Sequence, residues 1–143
     1  ANWRFSIPLS KRFTLRPMVY GRCLWGAKIP VIYGNSIGGE WFGHYLEQQM
    51  PFAGIGNMEF TDRHFMALQL EAQQNIANSH FILLRLAAAQ HAEEFKHTFK
   101  QQTLLGYQLG YYYNTLLGPL GATIGYSNKT KEVNFYINLG FEF

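Results

Sequence analysis

The last stretch of this sequence repeats with a period of two. Val133, Phe135, Ile137, Leu139, Phe141 and Phe143 are apolar, while Glu132, Asn134, Tyr136, Asn138, Gly140 and Glu142 fall between them. Only an extended backbone sends alternate side chains to opposite faces, so this is a strand with one face against something apolar. The pattern recurs upstream. Leu105, Tyr107, Leu109, Tyr111 and Tyr113 alternate with Gly106, Gln108, Gly110 and Tyr112. Leu120, Ala122, Ile124 and Tyr126 alternate with Gly121, Thr123, Gly125 and Ser127. Met66, Leu68, Leu70 and Ala72 share a face, as do Ile82, Leu84, Leu86 and Ala88, which leaves Arg85 and His91 on the other side. At the front, Trp3, Phe5 and Ile7 oppose Asn2, Arg4 and Ser6; Phe13, Leu15, Val19 and Trp25 oppose Arg12, Thr14, Arg16, Tyr20 and Arg22. Pro17 lacks an N–H and weakens the ladder of that strand locally.

The polar faces carry Gln, Glu, Asn, Arg and small residues, where the interior of a soluble barrel would be apolar. A polar inside with an apolar, aromatic-rich outside is the pattern of a transmembrane β-barrel. Hydropathy averages miss this class, and no run approaches the ~18 apolar residues of a membrane-crossing helix. The connections agree. Pro8–Lys11, Asn75–Asn78 and Asn114–Gly118 are short and alternate with Gly26–Thr61, Ala92–Thr103 and Ser127–Lys131, of which the first two are long. Short turns at one rim and long loops at the other are the asymmetry of outer-membrane barrels. The competing reading is helical, because residues 67–74 and 84–102 are rich in Ala, Leu, Gln and Glu. It predicts either a helix pair through Asn75–Asn78 or, within the barrel reading, a short loop helix around 91–100.

Composition narrows the function. With 48% hydrophobic and 15% charged residues, the chain is not disordered. A net charge of +3, with no basic run longer than Lys11-Arg12, does not point to nucleic acid. One cysteine, Cys23, excludes an internal disulfide and a multi-thiolate metal site. No initiating Met and no leader are present, so the chain is expected to be mature or part of something longer.

Two clusters invite chemistry. Gly34-Asn35-Ser36-Ile37-Gly38 has the spacing of a nucleophile elbow, but Gly39-Glu-Trp-Phe-Gly makes a poor start for the helix that chemistry needs. The sole Asp, Asp62, stands two residues before His64. His91, Glu93, Glu94 and His97 are dense in metal-ligand types but lack the spacing of a metal helix. No catalytic, cofactor or metal site is therefore expected, and the chain is read as no enzyme by itself. Arg4, Arg12, Arg16, Arg22 and Arg85 are expected to point into the lumen with Glu71, Glu132 and Glu142. There they would either pair to rigidify the barrel or line a path for a passing solute or polypeptide.

The long loop reads Asn35-Ser-Ile-Gly-Gly-Glu-Trp-Phe-Gly-His-Tyr-Leu-Glu-Gln-Gln-Met-Pro-Phe52, with five strands after it and a C-terminal Phe. Through Gly38, Gly39, Tyr45, Gln49, Pro51 and Phe52 it resembles the C-terminal barrel of the patatin-like outer-membrane proteins of Bacteroidota, related to the bacterial surface antigen superfamily of assembly factors and translocators. The resemblance implies a bacterial outer-membrane barrel that exports or tethers a patatin-like phospholipase passenger, with loop 34–60 folded into the lumen. It implies that Tyr45 and Gln49 reach wall residues such as Arg22, Gln69, Glu71 or Arg85. It also implies that Gly140, Phe141 and Phe143 form the signal read by the barrel-insertion machinery. Two features depart from the family. Its loop usually carries an Arg that reaches a wall carboxylate, and none occurs between Gly34 and Phe60, where His44 stands nearest. The patatin domain itself is absent, so any acyl-hydrolase activity would lie outside these residues. About seven strands do not close a barrel, and bacterial barrels have an even number from ~8 upward. The fold class expected is all-β: one domain over 1–143, the C-terminal portion of an antiparallel transmembrane β-barrel of about sixteen strands. Its partners are then the bilayer, the insertion machinery, and the remainder of its own barrel or other chains. The alternative is a small porin-like or structural barrel with no passenger, whose lumen arginines favour anions.

Overall fold

A computed structural model describes residues 2–26, 30, 33–39, 49–56, 59–92, 103–116 and 118–139. The alternating stretches form one antiparallel sheet: β1 (Asn2–Arg4), β2 (Ile7–Pro8), β3 (Phe13–Cys23), β7 (His64–Ala77), β8 (His80–Ala92), β9 (Leu104–Thr115), β10 (Gly118–Ser127) and β11 (Val133–Leu139). From β3 onward each long strand pairs with the next long strand in sequence, the meander expected of a barrel wall. The short segments β4 (Asn35–Ile37), β5 (Gln49–Met50) and β6 (Glu59–Thr61) lie in the long loop and form a separate three-stranded sheet, which the alternation did not foretell.

β1 and β2 lie along the same edge of β3, with Arg4 opposite Met18 and Ile7 opposite Leu15. The break at Phe5-Ser6 therefore faces Arg16-Pro17. Phe5 N–H donates to the Pro17 carbonyl at 3.0 Å, but Pro17 has no N–H to return. The weakening expected at Pro17 thus appears as an interrupted edge.

The helix pair through Asn75–Asn78 is overturned. Residues 64–92 form a hairpin closed at Asn78-Ser79, and β8 continues through Ala92. His91 and Ala92, the start of the expected loop helix, are strand; 93–100 lie outside the described residues. Among the described residues, no helix is long and apolar enough to cross a membrane.

The two faces separate as the period of two requires. On β11, Val133, Phe135, Ile137 and Leu139 are 64–71% exposed. Leu105, Tyr107, Leu109, Tyr111 and Tyr113 on β9, Ile124 and Tyr126 on β10, and Met66, Leu68 and Leu70 on β7 are exposed on the same outer face. An apolar surface this continuous is what a bilayer covers. The inner face is different. Met18, Tyr20, Phe65, Ala67, Ala87, Ala89 and Leu104 of the wall form a core with Ile37, Phe52, Ala53 and Ile55 of the loop. The sheet is thus lined on the inside by its own loop.

Candidate functional site

One transverse row crosses the inner face. Pairing places Arg16 beside Glu71, Glu71 beside Arg85, Arg85 beside Gln108, Gln108 beside Gly125, and Gly125 beside Asn134. The first half of the row is ionic. Arg16 Nη1 donates to Glu71 Oε1 at 2.8 Å, and Arg85 Nε donates to Glu71 Oε2 at 2.7 Å. Arg85 Nη1 also points to Gln108 Oε1 at 3.5 Å. One carboxylate thus holds two guanidinium groups from the strands on either side, with each oxygen engaged by a charged donor.

The second half of the row receives the loop. Asn134 Nδ2 donates to the Gly54 carbonyl at 3.0 Å. A side chain on Gly125 would meet the Gly54 Cα at 2.8 Å, and one on Gly106, a row higher, would run into the Ala53 carbonyl and the Phe52 ring. Only glycines let the two backbones approach this closely. On the opposite flank the Tyr20 hydroxyl donates to the Pro51 carbonyl. Residues 51–56 are thereby held against β3, β9, β10 and β11.

The rest of the described loop is tied to itself and to the wall rim. Gly38 N–H donates to Met50 O and Gly39 N–H to Ile55 O, both at 2.9 Å, with both glycines at positive φ. Gln49 Nε2 donates to Gly38 O at 2.8 Å. Asn35 Nδ2 lies near three carbonyls at the corner where the loop rejoins the wall: Asp62 and Arg63 at 2.9 Å, and Arg22 at 3.3 Å. His91 Nδ1 and Asp62 Oδ2, 2.8 Å apart, fasten that corner to β8.

Of the residues singled out in the loop, Gly38, Gly39, Gln49, Pro51 and Phe52 come together in this assembly, and Gln49 serves the loop's internal bonding. Tyr45 lies outside the described residues, as do Gly140, Phe141 and Phe143. Among the charges, Arg16, Glu71 and Arg85 meet. Arg12 instead sits exposed in the turn before β3, where its carbonyl accepts from Asn75 N–H at 2.7 Å. A turn residue cannot line a wall. Arg22 lies two rows above Met18 at the loop end of β3, away from the triad, with Nη1 buried and unpartnered among the described residues. Glu132 is exposed in the turn before β11, and Glu142 is outside the described residues.

Ser36 sits in the middle of β4, fully buried, its hydroxyl without a hydrogen-bond partner among the described residues. A nucleophile elbow presents its Ser at an exposed turn with a base in reach, and this geometry is the reverse. Among the described residues, no three His, Cys, Asp or Glu side chains gather as metal ligands. His91 is bonded to Asp62; Glu93, Glu94 and His97 lie outside the described residues.

Gly106, Gly125, Tyr20 and Asn134, the landing surface for the loop, were not singled out from the sequence. A signal was present: glycines recur on the polar face of two neighbouring strands, where a barrel wall should carry side chains unless something approaches it.

These features define a class: a stretch of antiparallel barrel wall, apolar outside, with a long loop folded onto its inner face. Comparison with known protein families matches residues 3–143 to the OMP85 superfamily, and the chain belongs to that superfamily of outer-membrane barrels. No curated protein and no solved structure matches it.

Proposed function

We propose that this chain is the C-terminal wall of an outer-membrane translocator or anchor barrel serving a patatin-like passenger, with loop 34–60 as its lumen plug. The observation that supports this best is the loop's seat. Residues 51–56 rest on the polar side of the wall through Tyr20, Gly106, Gly125 and Asn134, while the apolar side faces away. A barrel that moves or displays a polypeptide needs its lumen blocked at rest, and an in-folded loop does that.

The wall needs further strands. Six antiparallel steps lead from the β1/β2 edge to β11, so both edges run in the same direction. Joining them directly would require a parallel pair. An odd number of additional antiparallel strands closes the ring and satisfies the edge N–H and C=O groups that lipid cannot. The sixteen-strand reading, about nine more strands, meets that condition. In this account the bilayer covers the outer face, and Gly140, Phe141 and Phe143 are the insertion signal. The test is to delete residues 1–143 from the full-length protein and measure surface exposure of the passenger. Loss of surface lipase with retained expression supports the reading; unchanged surface lipase refutes it.

The porin-like alternative is favoured by one observation, the excess of arginine over carboxylate on the inner face among the described residues. A reading frame without a patatin domain would select it.

A further inference from the structure

Between the seated loop and the short-turn rim the inner face leaves a cavity of about 530 Å³. Its size falls in the range of sites for small organic ligands. Among the described residues, Arg4, Arg16 and Arg85 border it against one carboxylate residue, Glu71; Phe52 and Phe81 supply apolar walls. A hollow in which one sign of charge is in excess, walled by apolar groups, concentrates the potential of that excess.

The arginines are not equally spent. Arg85 is largely buried and turned onto Glu71 and Gln108. Arg16 gives a single N–H to Glu71, its one partner among the described residues, and its side chain remains 39% exposed at the cavity. A guanidinium carries five N–H groups in a planar fork that matches a carboxylate. Arg16 therefore keeps donors for a second anion, beside aromatic surface able to cover an apolar body.

We propose that this cavity is a binding site for a carboxylate borne on an apolar body, with Arg16 as the recognising group and Glu71 as the residue that limits its affinity. Glu71 competes for the guanidinium that the ligand needs. The two residues therefore act in opposite directions, which a merely structural ion cluster would not do.

The intact protein in detergent is titrated calorimetrically with sodium benzoate and with benzamide, its neutral counterpart. Benzoate is expected to bind about tenfold tighter or more, the worth of a charge-assisted hydrogen bond. Arg16→Gln should abolish the preference, and Glu71→Gln should strengthen benzoate binding. Faster migration of unheated than heated protein in gel electrophoresis verifies that each variant is a folded barrel. Phenylglyoxal labelling of the unsubstituted protein gives a readout free of folding effects: benzoate should shield Arg16, and benzamide should not. N-acetylphenylalanine, run beside its amide, separates sources. Tighter binding than benzoate assigns the site to a polypeptide terminus; weaker binding with the acid still preferred over its amide assigns it to a free small acid. Equal binding of benzoate and benzamide, an unprotected Arg16, or weaker benzoate binding in folded Glu71→Gln overturns the proposal.

Discussion

The carbonyl of Ala53 occupies the space that a side chain on Gly106 would need. This one contact joins loop to wall, because Ala53 belongs to the loop and Gly106 to the wall. Gly106→Val cannot coexist with the seated loop. Overpacking of this kind costs about 1–3 kcal/mol, which the molecule can relieve by releasing residues 51–56. The expected outcome is higher steady conductance of the complete barrel in planar bilayers, with new protease cleavage in the loop. Unchanged conductance and protection would place the loop elsewhere.

The Arg16–Glu71–Arg85 cluster makes an unequal prediction. Arg85 and Glu71 side chains are largely buried, so Glu71→Ala strands a guanidinium in the wall and should cost about 3–5 kcal/mol. Arg16 is partly solvated, and Arg16→Ala should cost about 1 kcal/mol or less. Urea unfolding of the protein in lipid vesicles measures both. Equal losses would mean that Arg16 and Arg85 hold the carboxylate alike.

On the outer face, Ile137 lies opposite Ala122 on β10, midway along β11. Ile137→Arg should destabilise the inserted protein by about 2–4 kcal/mol, the depth-dependent penalty of a charge facing lipid. Gln73→Arg, on the polar face of β7, should be tolerated. The same unfolding measurement separates them, and similar penalties would remove the distinction between the faces.

Ser36 has a buried hydroxyl with no partner among the described residues, so its removal should not harm the fold. Ser36→Ala should unfold at the same denaturant concentration or higher and leave any hydrolysis by the full-length protein unchanged. Abolished hydrolysis with normal folding would make Ser36 a nucleophile.

The long strands were legible because their signal is local: each apolar residue two positions on predicts the next face, and β9 to β11 follow that rule residue by residue. The helix-forming composition of 84–92 is overruled by cross-strand pairs such as Leu84–Leu109 and Leu86–Tyr107, and those are tertiary. The small sheet of β4, β5 and β6 was not legible, since two or three residues carry no measurable period. Of the site, the loop's apolar content announced that it must be covered, but the surface that covers it was hidden. Gly106 and Gly125 look like weak points in a strand until another backbone is laid over them. The ion triad was half visible. Arg16, Glu71 and Arg85 share the polar face by parity, yet parity also admitted Arg12, which the chain spends on a turn.

In the inserted barrel β11 separates lipid from a loop-filled interior, and neighbouring positions on that strand test this separation. Phe135 is exposed on the outer face, while Tyr136 borders a small cleft between the wall and Gly54. Spin labels are placed at each position in the complete, vesicle-inserted barrel, and collision rates are measured with oxygen, which concentrates in lipid, and with a water-soluble nickel chelate. The separation predicts a high oxygen rate at 135 and a low one at 136. Equal oxygen rates at the two positions would contradict it.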